Sequence, residues 1–400
     1  MSASIQIQKE LIILTEHFAP STGATAQLIT DLVEDLHKSG VSARVLTATS
    51  GSSDFPYPVL RLTRSSARGV GLLQKLLSGL VFFFGASFWL YKNIQPHQRL
   101  LIISNPPFIG LIGLLFFRLK KIPYVFLFQD IFPRSASLTG ILPVRGPLVF
   151  FWRSLLNAVL INSRATVVLS ASMIKRCQLD YDSSVNLVSI PNWSVFPPQS
   201  KAKHHSPCTT DWDLTEQFIV QYSGNFGRLH EIIIILEAAR LLQGQNIKFV
   251  FVGGGAKSAL INQYRITYGL TNILMKPYQP RSHLADSISS SDLSIVSLIP
   301  GAQDTVAPSK FYGILACSRP VLLIAGTDSE LASIINQYNC GAVIPHGDVS
   351  LLSEKILFLK NNPEILARMG RNAGRLYQNN YGRVSSTSQY FRLFTELDII

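Results

Sequence analysis

The chain repeats one local grammar on both sides of a polar break. An apolar run at 11–14 leads into Pro20-Ser21-Thr22-Gly23-Ala24 and then into an amphipathic stretch with Leu28, Leu32, Val33 and Leu36 at helical spacing. Gly40 stops that stretch, and a second apolar run follows at 41–47. Strand, loop, helix and strand in this order open a parallel, doubly wound sheet. Further strands are expected at 100–103, 124–128, 165–169 and 186–190. The polar stretch 196–217, with Pro197-Pro198, reads as a linker, after which the grammar resumes. There, strands are expected at 218–222, 249–252, 273–275, 293–296 and 321–324, helices at 231–242 and 310–316, and a helical tail over 351–359, 363–369 and 371–380. Four hundred residues exceed the size at which one core stops growing. The expectation is an α/β chain of two Rossmann-like domains, 1–195 and 218–380, facing a central cleft, with a closing segment 381–400 packed back on the N-terminal domain.

Composition narrows the classes. Apolar residues make up 47% and charged residues 15%, which excludes a disordered or collagen-like chain. Cys177, Cys208, Cys317 and Cys340 are scattered with no C-x-x-C pair, which argues against a zinc ribbon or a disulfide framework. The start, 1–10, is polar and lacks a signal-peptide pattern. Net charge is +12, of which residues 1–195 carry +9 (18 Lys and Arg against 9 Asp and Glu). The basic groups Arg61, Arg64, Arg68 and Arg118, Lys120, Lys121 each abut an apolar stretch. That arrangement favours an anionic membrane surface over nucleic acid. The apolar segment 70–91 is interrupted by Gln74 and Lys75, which leaves it short for a spanning helix; burial in the domain or contact with the interface is favoured. Trp89 and Tyr91 would serve as interfacial anchors.

Four loops can carry chemistry. Ser21-Thr22-Gly23-Ala24 lies between a strand and a helix, where backbone N–H groups can hold a phosphate; the pattern is neither G-x-G-x-x-G nor a Walker motif, and a plain turn is the alternative. Tyr222-Ser223-Gly224-Asn225-Phe226-Gly227-Arg228-Leu229-His230 follows a strand, with glycines for close backbone approach and Arg228 as a fork for a diphosphate. His230 could donate to a ligand oxygen. Gly253-Gly254-Gly255 is read chiefly as a turn. Pro308-Ser309-Lys310 opens a helix and sets a cation beside an anion site, the alternative being a simple Ser309 cap.

Tyr222-Ser-Gly-Asn-Phe-Gly227 and Pro308-Ser-Lys310, with Phe18-Ala-Pro-Ser-Thr-Gly23, Gln129-Asp130-Ile-Phe-Pro133, Ile190-Pro-Asn-Trp193, Ala316-Cys-Ser-Arg-Pro320 and Cys340-Gly-Ala-Val-Ile-Pro345, resemble the family-4 retaining glycosyltransferases of the GT-B fold. The bacterial exopolysaccharide and O-antigen subgroup is the most similar. The resemblance implies a hexosyl transfer from a UDP- or GDP-sugar to a glycan or lipid-carrier-linked acceptor. It implies neither metal nor other cofactor; with a lipid-linked acceptor, the basic clusters and apolar stretches lead to a protein held peripherally on the cytoplasmic face of the membrane. It also implies that Arg228 and Lys310 neutralise the leaving diphosphate. Gly224, Asn225, Pro308 and Ser309 would line the donor site, Tyr278 would lie near the base, and Glu330 near the ribose or sugar. Asp130 would act on the acceptor hydroxyl as base or orienter, or else cap the following helix; Thr22 and Gly23 complete the set.

The sequence departs from the family pattern where two glutamates are usual: those places hold Thr305 and Gly313, and Ser318-Arg319 replaces the glycine before Pro320. Asp211-Trp212-Asp213 has a metal-binding D-x-D form but lies in the expected linker and reads as a solvated turn, as do His204 and His205 beside Cys208. Two alternatives stay open: a nucleotide-sugar 2-epimerase of similar fold, and a non-catalytic nucleotide-sugar-binding partner.

Overall fold

The computed structural model describes residues 9–51, 54–65 and 72–400. Arg68, the first residues of the 70–91 apolar segment and most of the polar start lie outside the described residues. The chain divides into two compact units: residues up to Pro191 together with Val384–Ile400, and Asn192–Arg383.

The first unit is built on β1 (Glu10–Thr15), β2 (Ser42–Thr49), β3 (Val59–Ser65), β4 (Gln98–Ile103), β5 (Tyr124–Leu127), β6 (Ala165–Val168) and β7 (Leu187–Ser189). They form one sheet in the order β3-β2-β1-β4-β5-β6-β7, with every pair parallel. Leu11–Leu14 and Leu100–Ile103 are fully buried, as expected for strands covered by helices on both faces. The helix Ala24–Lys38 buries Leu28, Leu32, Val33 and Leu36, the stripe marked by the sequence. It ends at Gly40, whose φ of 84° is the left-handed conformation in which a glycine closes a helix. The C-terminal helix Arg383–Glu396 belongs to this unit and is tied to it by Thr387 Oγ1 donating to Asp35 Oδ2 at 3.0 Å.

The second unit is built on β8 (Phe218–Asn225), β9 (Ile247–Gly254), β10 (Ile273–Lys276), β11 (Leu293–Ser297), β12 (Val321–Ile324) and β13 (Gly341–Ile344). The order is β10-β9-β8-β11-β12-β13, again all parallel. In both sheets the order reverses beside the first strand, which is where doubly wound sheets bind ligands.

Several local readings change. The stretch 196–217 is no free linker. It forms a helical turn and the helix Pro207–Asp211, buries Cys208 and Leu214, and bonds Lys203 Nζ to Asp292 Oδ2 at 2.7 Å. β3 was hidden in the sequence by its arginines. Arg61, expected in a surface basic cluster, instead donates to the carbonyls of Thr49 (2.8 Å) and Ala19 (3.0 Å) and so has a structural role. The apolar segment after Leu72 is one helix, Leu72–Asn93, that buries Phe82, Ala86 and Leu90. Among the described residues no helix is long and apolar enough to cross a membrane. Trp89 is half-buried, with the Arg44 guanidinium 5.7 Å from its ring centre, so it is not an exposed anchor; Tyr91 is exposed. The four cysteines are buried thiols.

Candidate active site

In the second unit the ends of β8 and β9 run on in register through glycines: Gly224 pairs with Gly253, and Asn225 with Gly254. Gly253 has φ 132°, and a Cβ there would lie 2.1 Å from the Gly224 carbonyl oxygen. A Cβ on Gly255 would lie 2.4 Å from Asn225 Oδ1. The third glycine run is therefore more than a turn; it is the partner that lets the first glycine loop close. Phe226 N then donates to Gly254 O at 2.8 Å. Tyr278 seals the same edge, its hydroxyl donating to Gly254 O at 2.8 Å while its ring remains half exposed.

Lys310 reaches this edge from the next loop. Its ammonium lies 3.8 Å from the centre of the Tyr222 ring and contacts the Tyr222 hydroxyl, and its stem passes Gly224. Desolvation holds its pKa well below the ordinary lysine value. A cation kept in such surroundings gains most from an anion brought to it. Arg228 is exposed on the same loop as Gly224 and Asn225. Ser309 precedes the helix Lys310–Ala316 without a side-chain capping bond, which removes the simple-cap reading; Pro308 is buried.

His230 corrects an expectation. Its Nδ1 lies 2.7 Å from the Ser297 carbonyl. Burial first, then Lys310, push its pKa down to about 3, so the ring is neutral. A carbonyl only accepts, so Nδ1 carries the proton and Nε2 offers a lone pair. His230 can accept from a ligand hydroxyl; its one ring proton is already given to the Ser297 carbonyl. Its neighbour Glu231 bonds His346 Nδ1 at 2.8 Å and ties the loop after β8 to the loop after β13. Glu330 is the first residue of the helix Glu330–Tyr338, whose cap is Ser329, in the connection that follows β12.

The unusual positions have a physical account. Thr305 is fully buried and bonds Gly301 O and Asp304 Oδ1. Gly313 is buried in its helix, and a Cβ added there would lie 3.4 Å from Ile288 Cδ1 and from Phe196 Cζ, so a longer side chain starts out against apolar groups. Asp211 ends a short helix and Asp213 sits in a turn with φ 56°; both precede β8. No group of three metal-ligating side chains occurs among the described residues.

In the first unit, Thr25 Oγ1 lies 3.2 Å from Gln129 Oε1 and Gln129 N donates to Ser104 Oγ at 3.0 Å. These bonds bring the loop carrying Thr22 and Gly23 beside Asp130. Gly23 is the N-cap of its helix in extended conformation, and an added Cβ would meet only Ser21 Oγ at 3.9 Å, so it faces open space. Asp130 caps nothing: the N-cap of the next helix, Arg134–Leu138, is Pro133. Asp130 is solvent-accessible, yet crowding by protein pushes its pKa up to about 6.

Two residues escaped the sequence reading. Glu16 and His17 follow β1 at the point where the strand order reverses. Glu16 is buried, and burial raises its pKa to about 7 against an opposing effect from Lys75. His17 is shifted down by burial and by the same lysine, and its Nε2 lies 3.8 Å from Glu16 Oε2. The available signal was a carboxylate set directly after an apolar strand.

Residues 211–375 match the family model described as glycosyl transferases group 1. The match falls within the second unit. Two relatives extend the likeness. The "Probable glycosyltransferase WbjE" of Pseudomonas aeruginosa is 24% identical over 237 residues, 58% of each chain. WcaI of Escherichia coli (strain K12), whose name places it in colanic acid biosynthesis as a glycosyl transferase, is 27% identical over 176 residues, 42% of each chain. The matches thus span about half the length of these relatives. Among solved structures, sucrose-phosphate synthase from Thermosynechococcus elongatus superposes with a TM-score of 0.79 at 15% identity, covering 98% of this chain and 99% of that one. HepE of Anabaena, solved with UDP-glucose, gives 0.75 at 13% identity, covering 97% of this chain and 100% of the other. WaaG, a glycosyltransferase involved in lipopolysaccharide biosynthesis, gives 0.71 at 14% identity, covering 95% and 98%. The fold is GT-B, as the motifs led one to expect.

Proposed function

We propose that this group 1 glycosyltransferase transfers a hexosyl unit, with retention and without a metal ion, from a UDP- or GDP-sugar to a glycan or lipid-carrier-linked acceptor in bacterial surface-polysaccharide synthesis. The observation that carries the reading is Lys310, a desolvated ammonium set against glycines at the ends of parallel strands. Lys310 and Arg228 hold the diphosphate and stabilise the charge that grows on it as the sugar departs. Glycines 224 and 253 give backbone access, and Asn225, Pro308 and Ser309 line the same edge. Tyr278 offers a ring face to the base, Glu330 a carboxylate to ribose or sugar hydroxyls, and His230 a lone pair. HepE, a neighbour in fold, was solved with UDP-glucose, which agrees with a uridine donor.

In front-face transfer the acceptor oxygen bonds to the anomeric carbon on the side from which the diphosphate leaves, and the acceptor proton passes to a diphosphate oxygen. This route needs no protein nucleophile. Asp130 and the Thr22–Gly23 loop would then orient the acceptor. A lipid-carrier acceptor calls for a peripheral protein on the cytoplasmic face of an anionic membrane. UDP at a hundred times its dissociation constant should stabilise the protein by about 2.7 kcal/mol. Arg228→Ala and Lys310→Ala should each shrink the thermal shift; an undiminished shift in both would remove the assignment.

The buried Thr305 and Gly313, in places where carboxylates are usual, favour one rival: a non-catalytic nucleotide-sugar binder. Slow donor hydrolysis without acceptor separates the two, since a pure binder shows none.

A further inference from the structure

From residue 55 to residue 179 the chain carries 15 Lys and Arg and a single acid, Asp130. That window holds +14, more than the +12 of the whole chain. Three helices within it have no acidic residue at all: Leu72–Asn93, Gly110–Lys120 and Pro147–Asn162. They lie side by side. Phe83 packs edge-on to Phe108 at 5.6 Å just before the second helix, Lys120 Nζ donates to Tyr91 O at 2.9 Å, and a Cβ on Gly110 would touch Val159 of the third helix.

Their outward side is apolar. Fifteen of the twenty-five large apolar side chains exposed among the described residues fall between Leu76 and Ile161. On the first helix Leu77, Val81, Phe84, Phe88 and Tyr91 recur at helical spacing, with Phe84 66% exposed. Leu115 and Leu119 continue the surface on the second helix. The segment before and into the third helix adds Ile141, Val144, Leu148, Phe150 and Phe151, with Val144 at 77% and Phe150 at 74%. Exposed Lys75, Lys92, Arg118, Lys120, Lys121 and Arg145 border it. Lys92, Lys120 and Lys121 stand over the rings of Phe88, Tyr91 and Phe117, so each cation sits beside an apolar group. A water-exposed surface of this kind costs hydration free energy. An isolated apolar patch accepts many partners, but one fringed by cations, on three helices that carry no acid, matches an anionic lipid surface, where apolar groups enter the acyl boundary and cations meet headgroups.

We propose that this three-helix face lies on an anionic phospholipid bilayer, with the 141–151 segment inserted as its leading edge. The proposal sharpens the peripheral-membrane reading above and rests on it; it widens the contact from two apolar stretches and the Trp89 end to a surface three helices wide.

Flotation of the full chain with phosphatidylglycerol-containing and with pure phosphatidylcholine vesicles tests it. Binding to the first and weak binding to the second is expected. A well-placed cation contributes about a fivefold factor in partition, so K92Q/K120Q/K121Q should weaken binding on the order of a hundredfold. K355Q/R368Q/R371Q, which removes three exposed cations of the second unit, should leave it unchanged. F150S/F151S should abolish the portion of binding that resists high salt. The proposal is overturned by absence of binding at low salt, by equal losses in both charge triples, or by a dimer that F150S/F151S dissociates, since that would assign the face to a second copy. Flotation reads no sugar transfer, so failure here leaves the UDP thermal-shift test of the donor site standing.

Discussion

The two units share one architecture and differ in what they set at the ends of their strands. In the second unit β8 and β9 end in glycines that bring two backbones into contact, and the charged groups beside them are Lys310 and Arg228. In the first unit the strand ends carry carboxyl groups, Glu16 after β1 and Asp130 after β5, both pushed up in pKa by desolvation. In the function proposed, the first of these edges takes the diphosphate and the second the hydroxyl groups and proton sharing. The helices differ too. Those of the first unit carry the acid-free apolar face, while exposed large apolar residues of the second unit, such as Leu241, Ile266 and Phe358, are dispersed along the chain. A doubly wound sheet supplies the place of a site, and the side chains at strand ends decide its chemistry.

The contrast breaks most readily at Lys310. If the second unit works by cationic stabilisation of a leaving diphosphate, Lys310→Ala should lower kcat/KM by roughly 100-fold or more, the scale seen when one preorganised donor to a developing anion is lost. Asp130→Asn should cost less and should raise KM for acceptor more than for donor. A smaller loss at Lys310 than at Asp130, in steady-state kinetics with both substrates varied, would invert the roles given to the two edges.

The glycine contact can be tested on stability alone. Gly253→Ala places a methyl 2.1 Å from the Gly224 carbonyl at φ 132°. Backbone must move, at a cost of about 2–4 kcal/mol, and UDP binding should fall with it. Gly23→Ala in the first unit meets open space and extended backbone, so its Tm should stay within about 1 °C of the parent. Equal effects would erase the difference between the two loops.

The third test concerns Glu16. A carboxyl raised to about 7 holds its proton more tightly when folded than when unfolded. The folded state then binds more protons between the unfolded pKa and 7, so stability falls as pH rises through that window. Glu16→Gln removes the cost and should be more stable than the parent by roughly 1–3 kcal/mol above about pH 7, with the gap closing below about pH 5. Denaturant melts across pH check this; a gap independent of pH would deny the carboxyl its raised pKa.

The smallest expected effect is on donor affinity. Lys310 has a lowered pKa, and a diphosphate favours its charged form, so binding takes up a proton. UDP affinity should therefore weaken as pH rises, and isothermal titration in buffers of different ionisation heat should show the uptake. Lys310→Arg, which stays protonated, should flatten the profile.

Most of the sheet strands were legible in the sequence, because fully buried parallel strands read as unbroken apolar runs. β3 and β13 were not: one carries arginines along the sheet edge, and the other is four residues beginning with glycine. The residues proposed for the donor side stood out for a related reason. Phosphate loops need glycine and a nearby cation, both local signals, and Gly224, Arg228 and Lys310 stand in short motifs. What the sequence by itself determined, then, is what depends on neighbours along the chain: the two alternating halves, the helix stops and the loop chemistry. Only the tertiary structure decided the remainder, because it turns on which distant groups meet. It closed the Gly253 loop against Gly224, gave His230 its Ser297 partner and with it a lone pair in place of a proton, and buried Glu16. It also folded 196–217 into the second unit and aligned three helices, more than 70 residues apart at their extremes, into one apolar face. Burial and desolvation are sums over groups scattered along the chain, and no local pattern of residues carries them.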